Sequence, residues 1–172
     1  MFANLRAGGA RAAGECVESS VRERDAGVTR VDEPLGMEAE LRGSAASRID
    51  GTLDDMLVLA RELQSPTLVA PETFVEATTV QFPGLGGVLP GFGRWDPNDW
   101  GLGFELRDEK EQHWTGTRNS PRTFGHFGGS GTFLWVDPEA GLACACLTDR
   151  EFDDWALAAW PKLSDDVLAE AA

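Results

Sequence analysis

The stretch best suited to chemistry is TFGHFGGSGT, residues 123–132, in which His126 stands among Gly125, Gly128, Gly129 and Gly131. Glycines there remove the Cβ atoms from one approach to the backbone, so a ligand or a second strand can come close. An imidazole beside such a bared strand can orient or polarise a bound carbonyl or carboxylate. Ser130, in GGSGT, is a poorer candidate. It precedes a strand instead of turning from strand into helix, and Thr132 stands where a nucleophile elbow needs glycine.

Other motifs fail on spacing. GLGGVLPGFG, residues 84–93, fits no G-x-G-x-x-G register and is followed by no P-loop lysine. His113 lies in a charged stretch without a partner at metal-ligand spacing, and is expected at the surface. The three cysteines, Cys16, Cys144 and Cys146, are an odd number. Cys144 and Cys146 are two apart on an expected strand, so both point to one face. They read as small buried thiols, with neither a disulfide nor a zinc site. No metal and no cofactor are expected.

Composition narrows the function classes. The formal net charge of -14 disfavours nucleic acid and anionic lipid, because phosphate contact needs a basic face. No stretch approaches the roughly 20 apolar residues of a membrane span. The N-terminus has arginines and alanines but no apolar core of a signal peptide, so a cytoplasmic protein is expected.

The chain changes character near residue 47. Residues 1–46 hold one aromatic, Phe2, and no sustained periodicity. They are expected to be poorly ordered, since little apolar surface offsets the entropy of ordering them. From residue 47 to 172 the signals sharpen. TLDDMLVLARELQ predicts a helix capped by Thr52, with Asp54 and Asp55 in its first turn and Leu53, Met56, Leu57, Ala60 and Leu63 on one face. APETFVEATTVQF predicts a second helix with Pro71 at its first position and Phe74, Val75 and Thr78 inward.

Residues 82–100 read as a Gly/Pro loop rich in aromatics, either functional or capping the core. GLGFELR (101–107) predicts a strand, DEKEQ its charged turn, and TFLWVD with LACACLT a hairpin around residues 138–141. One or two helices close the chain, with Ser164 a fitting cap for the last. The expected class is α+β: an antiparallel sheet backed by helices.

GTLDDMLVLAREL, LVAPETFVEATT, DWGLGFELR and RTFGHFGGSGTFLWVDPEAGLACACLTDR together resemble, in order, the C-terminal half of the serine β-lactamase-like hydrolases, over about residues 47–169. The resemblance implies a partial β-lactamase/transpeptidase-like fold, and hydrolysis of β-lactam, ester or amide bonds as its chemistry. In that family the site has three parts: S-x-x-K, a second element often written Y-x-N, and a strand motif K-T-G or H-x-G. His126-Phe127-Gly128 matches the third. By that resemblance His126 lines the pocket near the leaving group and Gly128 keeps the strand edge open. The Gly129 amide would then be an oxyanion donor.

The other two parts are missing. No serine is followed by lysine at the fourth position, the chain has no tyrosine, and its lysines are Lys110 and Lys162 alone. A hydroxyl needs an adjacent base to attack at neutral pH. No catalytic residue is therefore assigned, and a truncated, catalytically silent hydrolase is expected. Its substrate-side residues are His126, Phe127, Gly128 and Gly129, and its ligands a β-lactam, an ester or a peptide. The alternative is a non-catalytic binding module using the His126 strand edge and the 82–100 loop. A third reading adds a complementing protein chain that carries S-x-x-K.

Overall fold

The structure is a computed structural model, and it describes residues 5–6, 31–42 and 49–171. Most of the segment expected to be poorly ordered lies outside the described residues. Its described parts include β1 (Leu5–Arg6) and β2 (Glu40–Leu41), which flank β3 (Ile49–Asp50) in a small sheet ordered β1-β3-β2.

Helix α1 (Leu53–Gln64) forms as its sequence dictates. The Thr52 hydroxyl accepts from the Asp55 amide at 3.1 Å, and the Asp55 carboxylate accepts from the Thr52 amide at 2.8 Å. This reciprocal box satisfies donors that the first turn leaves orphaned. Met56 and Ala60 are buried and Leu63 packs beside them, whereas Leu53 and Leu57 stay exposed. Helix α2 (Pro71–Ala77) begins at Pro71 as predicted. Phe74 faces the core, but Val75, expected inward, is 59% exposed. A helix of seven residues reaches the sheet only along the Phe74–Ala77 line.

The central sheet has the order β6-β7-β8-β9: Glu105–Leu106, Phe124–Phe127, Phe133–Asp137 and Leu142–Cys146, all antiparallel. Strand alternation sends Phe127, Phe133 and Trp135 to one face, under helix α3 (Asp154–Glu170). Leu134 goes to the other face, under α1, and Phe124 and Val136 join it on the Phe74 side. Cys144 and Cys146 both pack on the α3 side, as their spacing requires. Neither is in a disulfide. Gly125 permits the close approach of β7 to β8, because a Cβ there would run into the Leu134 carbonyl oxygen.

Three elements depart from the sequence expectation. The 82–100 stretch contains a hairpin, β4 (Gly87–Leu89) with β5 (Gly93–Trp95), turned by Gly91 and Gly93 at φ 77° and 93°. The strand expected over 101–107 shrinks to Glu105–Leu106. The Gly101 and Leu102 amides are diverted to Phe104 and Ala77 carbonyls, and Gly103 turns the chain at φ 85°. The chain ends in one helix that runs through Pro161. Ser164 is no cap: it is buried inside α3, accepting from Trp135 Nε1 at 3.0 Å and donating to the Trp160 carbonyl at 3.0 Å. Burial of Trp160, Ser164 and Leu168 keeps both sides of the proline on the core.

The fold makes a graded stability prediction. Replacing Trp135 by alanine removes a fully buried ring and the Ser164 bond, and should cost about 3–5 kcal/mol. Thr52→Ala removes only the cap and should cost about 1 kcal/mol. Urea titration of both variants measures the order; equal midpoints would contradict it.

Candidate functional site

His126 sits on β7 opposite Leu134 of β8, half-buried, with its ring 5.2 Å from that of Trp100. On its other side β7 pairs with β6 only at Phe124 and Gly125, so the ladder does not run on beside His126. Burial pushes the imidazole below its ordinary value of 6.5, against the opposing pull of a hydrogen bond to the Phe127 backbone and of the Glu105 charge. Such a ring is mostly neutral at neutral pH and can donate or accept one hydrogen bond.

The remaining predicted residues divide between wall and turn. The Phe127 ring belongs to the core, between Trp114, Phe152 and Trp160, so only its backbone is available at the strand. Gly128 closes the β7–β8 turn: its amide donates to the Thr132 carbonyl at 2.9 Å and its carbonyl accepts from Gly131 at 3.0 Å. Gly129 is exposed, and its carbonyl accepts from the Phe152 amide at 2.9 Å. Of the aromatic residues in the 82–100 stretch, Trp100 meets His126, while Phe92 and Trp95 pack against the core.

Beside this strand lies a buried polar cluster built on Glu105. Lys110, placed by sequence in a charged turn, is 4% exposed, and His113, expected at the surface, is 3% exposed. Both turn inward to Glu105, which is 1% exposed. The Glu105 carboxylate accepts from Lys110 Nζ at 2.9 Å, from His113 Nε2 at 2.8 Å and from Trp114 Nε1 at 2.5 Å. Lys110 Nζ also donates to the Asp99 carbonyl at 3.1 Å and to the Leu106 carbonyl. Charged groups are buried only when paired and bonded, and here each donor of the ammonium has an acceptor. The clue in the sequence was Glu105 itself, a carboxylate inside an apolar strand that demands partners.

Burial alone would raise the Glu105 pKa, but the His113 and Lys110 contacts outweigh it and hold the carboxyl below its usual range. Burial depresses His113 below its ordinary value, with the Glu105 contact opposing. The Thr115 amide points at His113 Nδ1 at 3.2 Å, so that nitrogen is the acceptor and the proton sits on Nε2.

Thr115, His113 and Glu105 thus form a hydroxyl–imidazole–carboxylate chain, with Thr115 Oγ1 2.8 Å from Nδ1. All three are buried, so the chain lacks the access that a nucleophile needs. Ser120 bonds a carboxylate instead of a base, its Oγ donating to Asp137 at 2.7 Å. Ser130 Oγ lies 3.1 Å from Thr132 Oγ1. Among the described residues no three His, Cys, Asp or Glu side chains are grouped as a metal site. No helix among them is long and apolar enough to cross a membrane.

The antiparallel sheet packed between helices is that of a partial β-lactamase-like fold. The Beta-lactamase family model matches residues 5–168, and the chain belongs to that family. The match takes in residues 5–46, where no resemblance was apparent in the sequence. A solved structure similar to this chain is that of a beta-lactamase from Mycobacterium bovis, 51% identical with a TM-score of 0.83. The likeness covers 89% of this chain and 60% of that one, so the chain spans less than two thirds of its neighbour's length. No curated protein matches.

The buried cluster predicts how stability responds to acid. The unfolded chain binds protons on His113 and His126 near pH 6.5 and on Glu105 near 4.5, whereas the folded chain resists all three. Stability should therefore be full above about pH 6.5, fall as pH drops below it, and fall further below about 4.5. His113→Gln should remove part of the upper slope and shrink the lower one, because the His113 contact helps hold Glu105 low. Urea midpoints measured across pH 4–8 test this, and a midpoint that rises on acidification would refute it.

Proposed function

We propose that this chain supplies the His-x-Gly wall of a β-lactamase-family serine hydrolase site and does not hydrolyse substrates by itself. The observation that carries the reading is a pairing of presence with absence. His126 stands on β7 beyond the end of the β6 ladder, while the 172 residues contain neither S-x-x-K nor any tyrosine. The two lysines offer no substitute base. Lys110 is buried on Glu105, and Lys162 is on the outer side of α3, paired with Asp166.

In this reading His126 orients a carbonyl or carboxylate of a β-lactam, ester or peptide, and the Gly129 amide is an oxyanion donor. Without a nucleophile and base, what remains is binding and oxyanion stabilisation, a small share of a hydrolase's rate. Trp100 against His126 favours a ligand-binding role for the same surface. A polypeptide bearing S-x-x-K would complete the site. The thiols of Cys144 and Cys146, neither in a disulfide, support a cytoplasmic setting.

Intact-mass measurement after incubation with a penicillin and with a fluorophosphonate tests the reading, with denatured chain as control. The expected result is no covalent adduct on the folded chain. A single adduct on folded but not denatured protein would reveal a working nucleophile, with Ser120 and Ser130 the first to map, and would overturn the proposal.

A further inference from the structure

The Glu105 cluster is joined to the His126 wall through the backbone. Lys110 Nζ holds the carbonyl of Asp99, the residue before Trp100, and also the carbonyl of Leu106 on β6. The Leu106 amide returns to the same Asp99 carbonyl at 3.3 Å. Trp100 forms bridges to Glu105 on one side and to Gln81 on the other, where the Gln81 amide donates to its carbonyl at 2.7 Å. Glu105 is in turn registered against Gly125, the neighbour of His126. The Trp100 ring ends 5.2 Å from the imidazole, inclined at 57°.

We infer that Glu105 and Lys110 are positioning residues for His126: their buried pair fixes the Asp99–Trp100 segment on β6, and so holds the Trp100 ring against the imidazole. The imidazole is held by the Phe127 backbone and the Phe127 ring 5.8 Å away, and the Trp100 ring is a further contact that comes from outside β7. An aromatic face held at ring-contact distance restricts the imidazole. The ammonium suits this task because one atom with several donors ties two carbonyls and a carboxylate together. Burial of Glu105 accounts for one bond of the ammonium, that to Oε1; its bonds to the Asp99 and Leu106 carbonyls tie the backbone on either side of Trp100 and Glu105 instead.

The inference bears on ligand binding only if the proposed function holds, but its test needs no ligand. The imidazole signals of the folded chain are followed by NMR for wild type, Lys110→Met, Trp100→Leu and the double variant. The methionine keeps most of the lysine's length and loses the ammonium. Trp100→Leu should remove the Trp100 part of the ring-current shift of the His126 signal and leave the part due to the Phe127 ring 5.8 Å away. Lys110→Met should lose most of the same Trp100 part, and the double variant should match Trp100→Leu instead of adding to it.

A merely structural lysine would alter stability but leave His126 where it is. An unchanged His126 signal in Lys110→Met, or additive effects in the double variant, would overturn the inference. If Lys110→Met does not fold, the paired change Glu105→Gln with Lys110→Met removes both charges together and is read in the same way. A failure here leaves the adduct result untouched, and an adduct leaves this result untouched.

Discussion

One buried carboxylate constrains this molecule more than any other group. Glu105 lies in a two-residue strand, almost wholly out of water, and accepts from an ammonium, an imidazole and an indole. An isolated charge in that place is prohibitive, so the chain from residue 108 to 115 must fold back over β6 to bring the donors. That return sets Trp114, tilted, against Phe127 and Phe133 at the heart of the α3-side core. The same ammonium holds Asp99 beside β6. Polar need thus shapes a segment that apolar pattern leaves undefined, and removing one partner of such a pair commonly costs about 3–5 kcal/mol.

The two faces of the sheet divide the labour. The α3 face is a dense aromatic core in which Trp114, Phe127, Phe133, Phe152 and Trp160 meet edge-on or tilted. It makes β7 rigid from behind. The opposite face is aliphatic under α1, around Met56, Ala60 and Leu134, and aromatic under α2, where Phe74 and Phe104 meet Phe124 edge-on. His126 emerges where the ladder with β6 ends, so its backbone is held by β8 while its ring is held from the Trp100 side.

The turns around the wall are fixed by polar side chains as well as by glycine. Asp137 at the end of β8 accepts from Ser120 Oγ and from the Ser120, Glu139 and Ala140 amides, tying the segment before β7 to the β8–β9 turn. Burial would raise its pKa, but these bonds outweigh it and hold the carboxyl below its usual range. Gly131, at φ 79°, lies so close to Arg150 that a Cβ would strike the Arg150 carbonyl oxygen. The GGSGT run therefore carries a packing requirement besides any approach by a ligand.

The elements that rest on local periodicity were readable from the residues alone. The capping box at Thr52 and Asp55, Pro71 opening α2, the β8–β9 hairpin and the shared face of Cys144 and Cys146 are set by neighbours within a few positions. So was the H-x-G motif, since its residues are contiguous. What sequence could not set were contacts between distant groups of opposite preference. Lys110 and His113 look like surface residues because charge ordinarily seeks water, and only Glu105 on a buried strand reverses that preference. Ser164 looks like a cap, yet Trp135, 29 positions away, makes it an interior partner. The Trp100–His126 pair likewise depends on where the Glu105 cluster draws the chain. Periodicity is a property of one segment and is written in it; the partners of a buried polar group belong to the packed whole, and only the tertiary structure decides them.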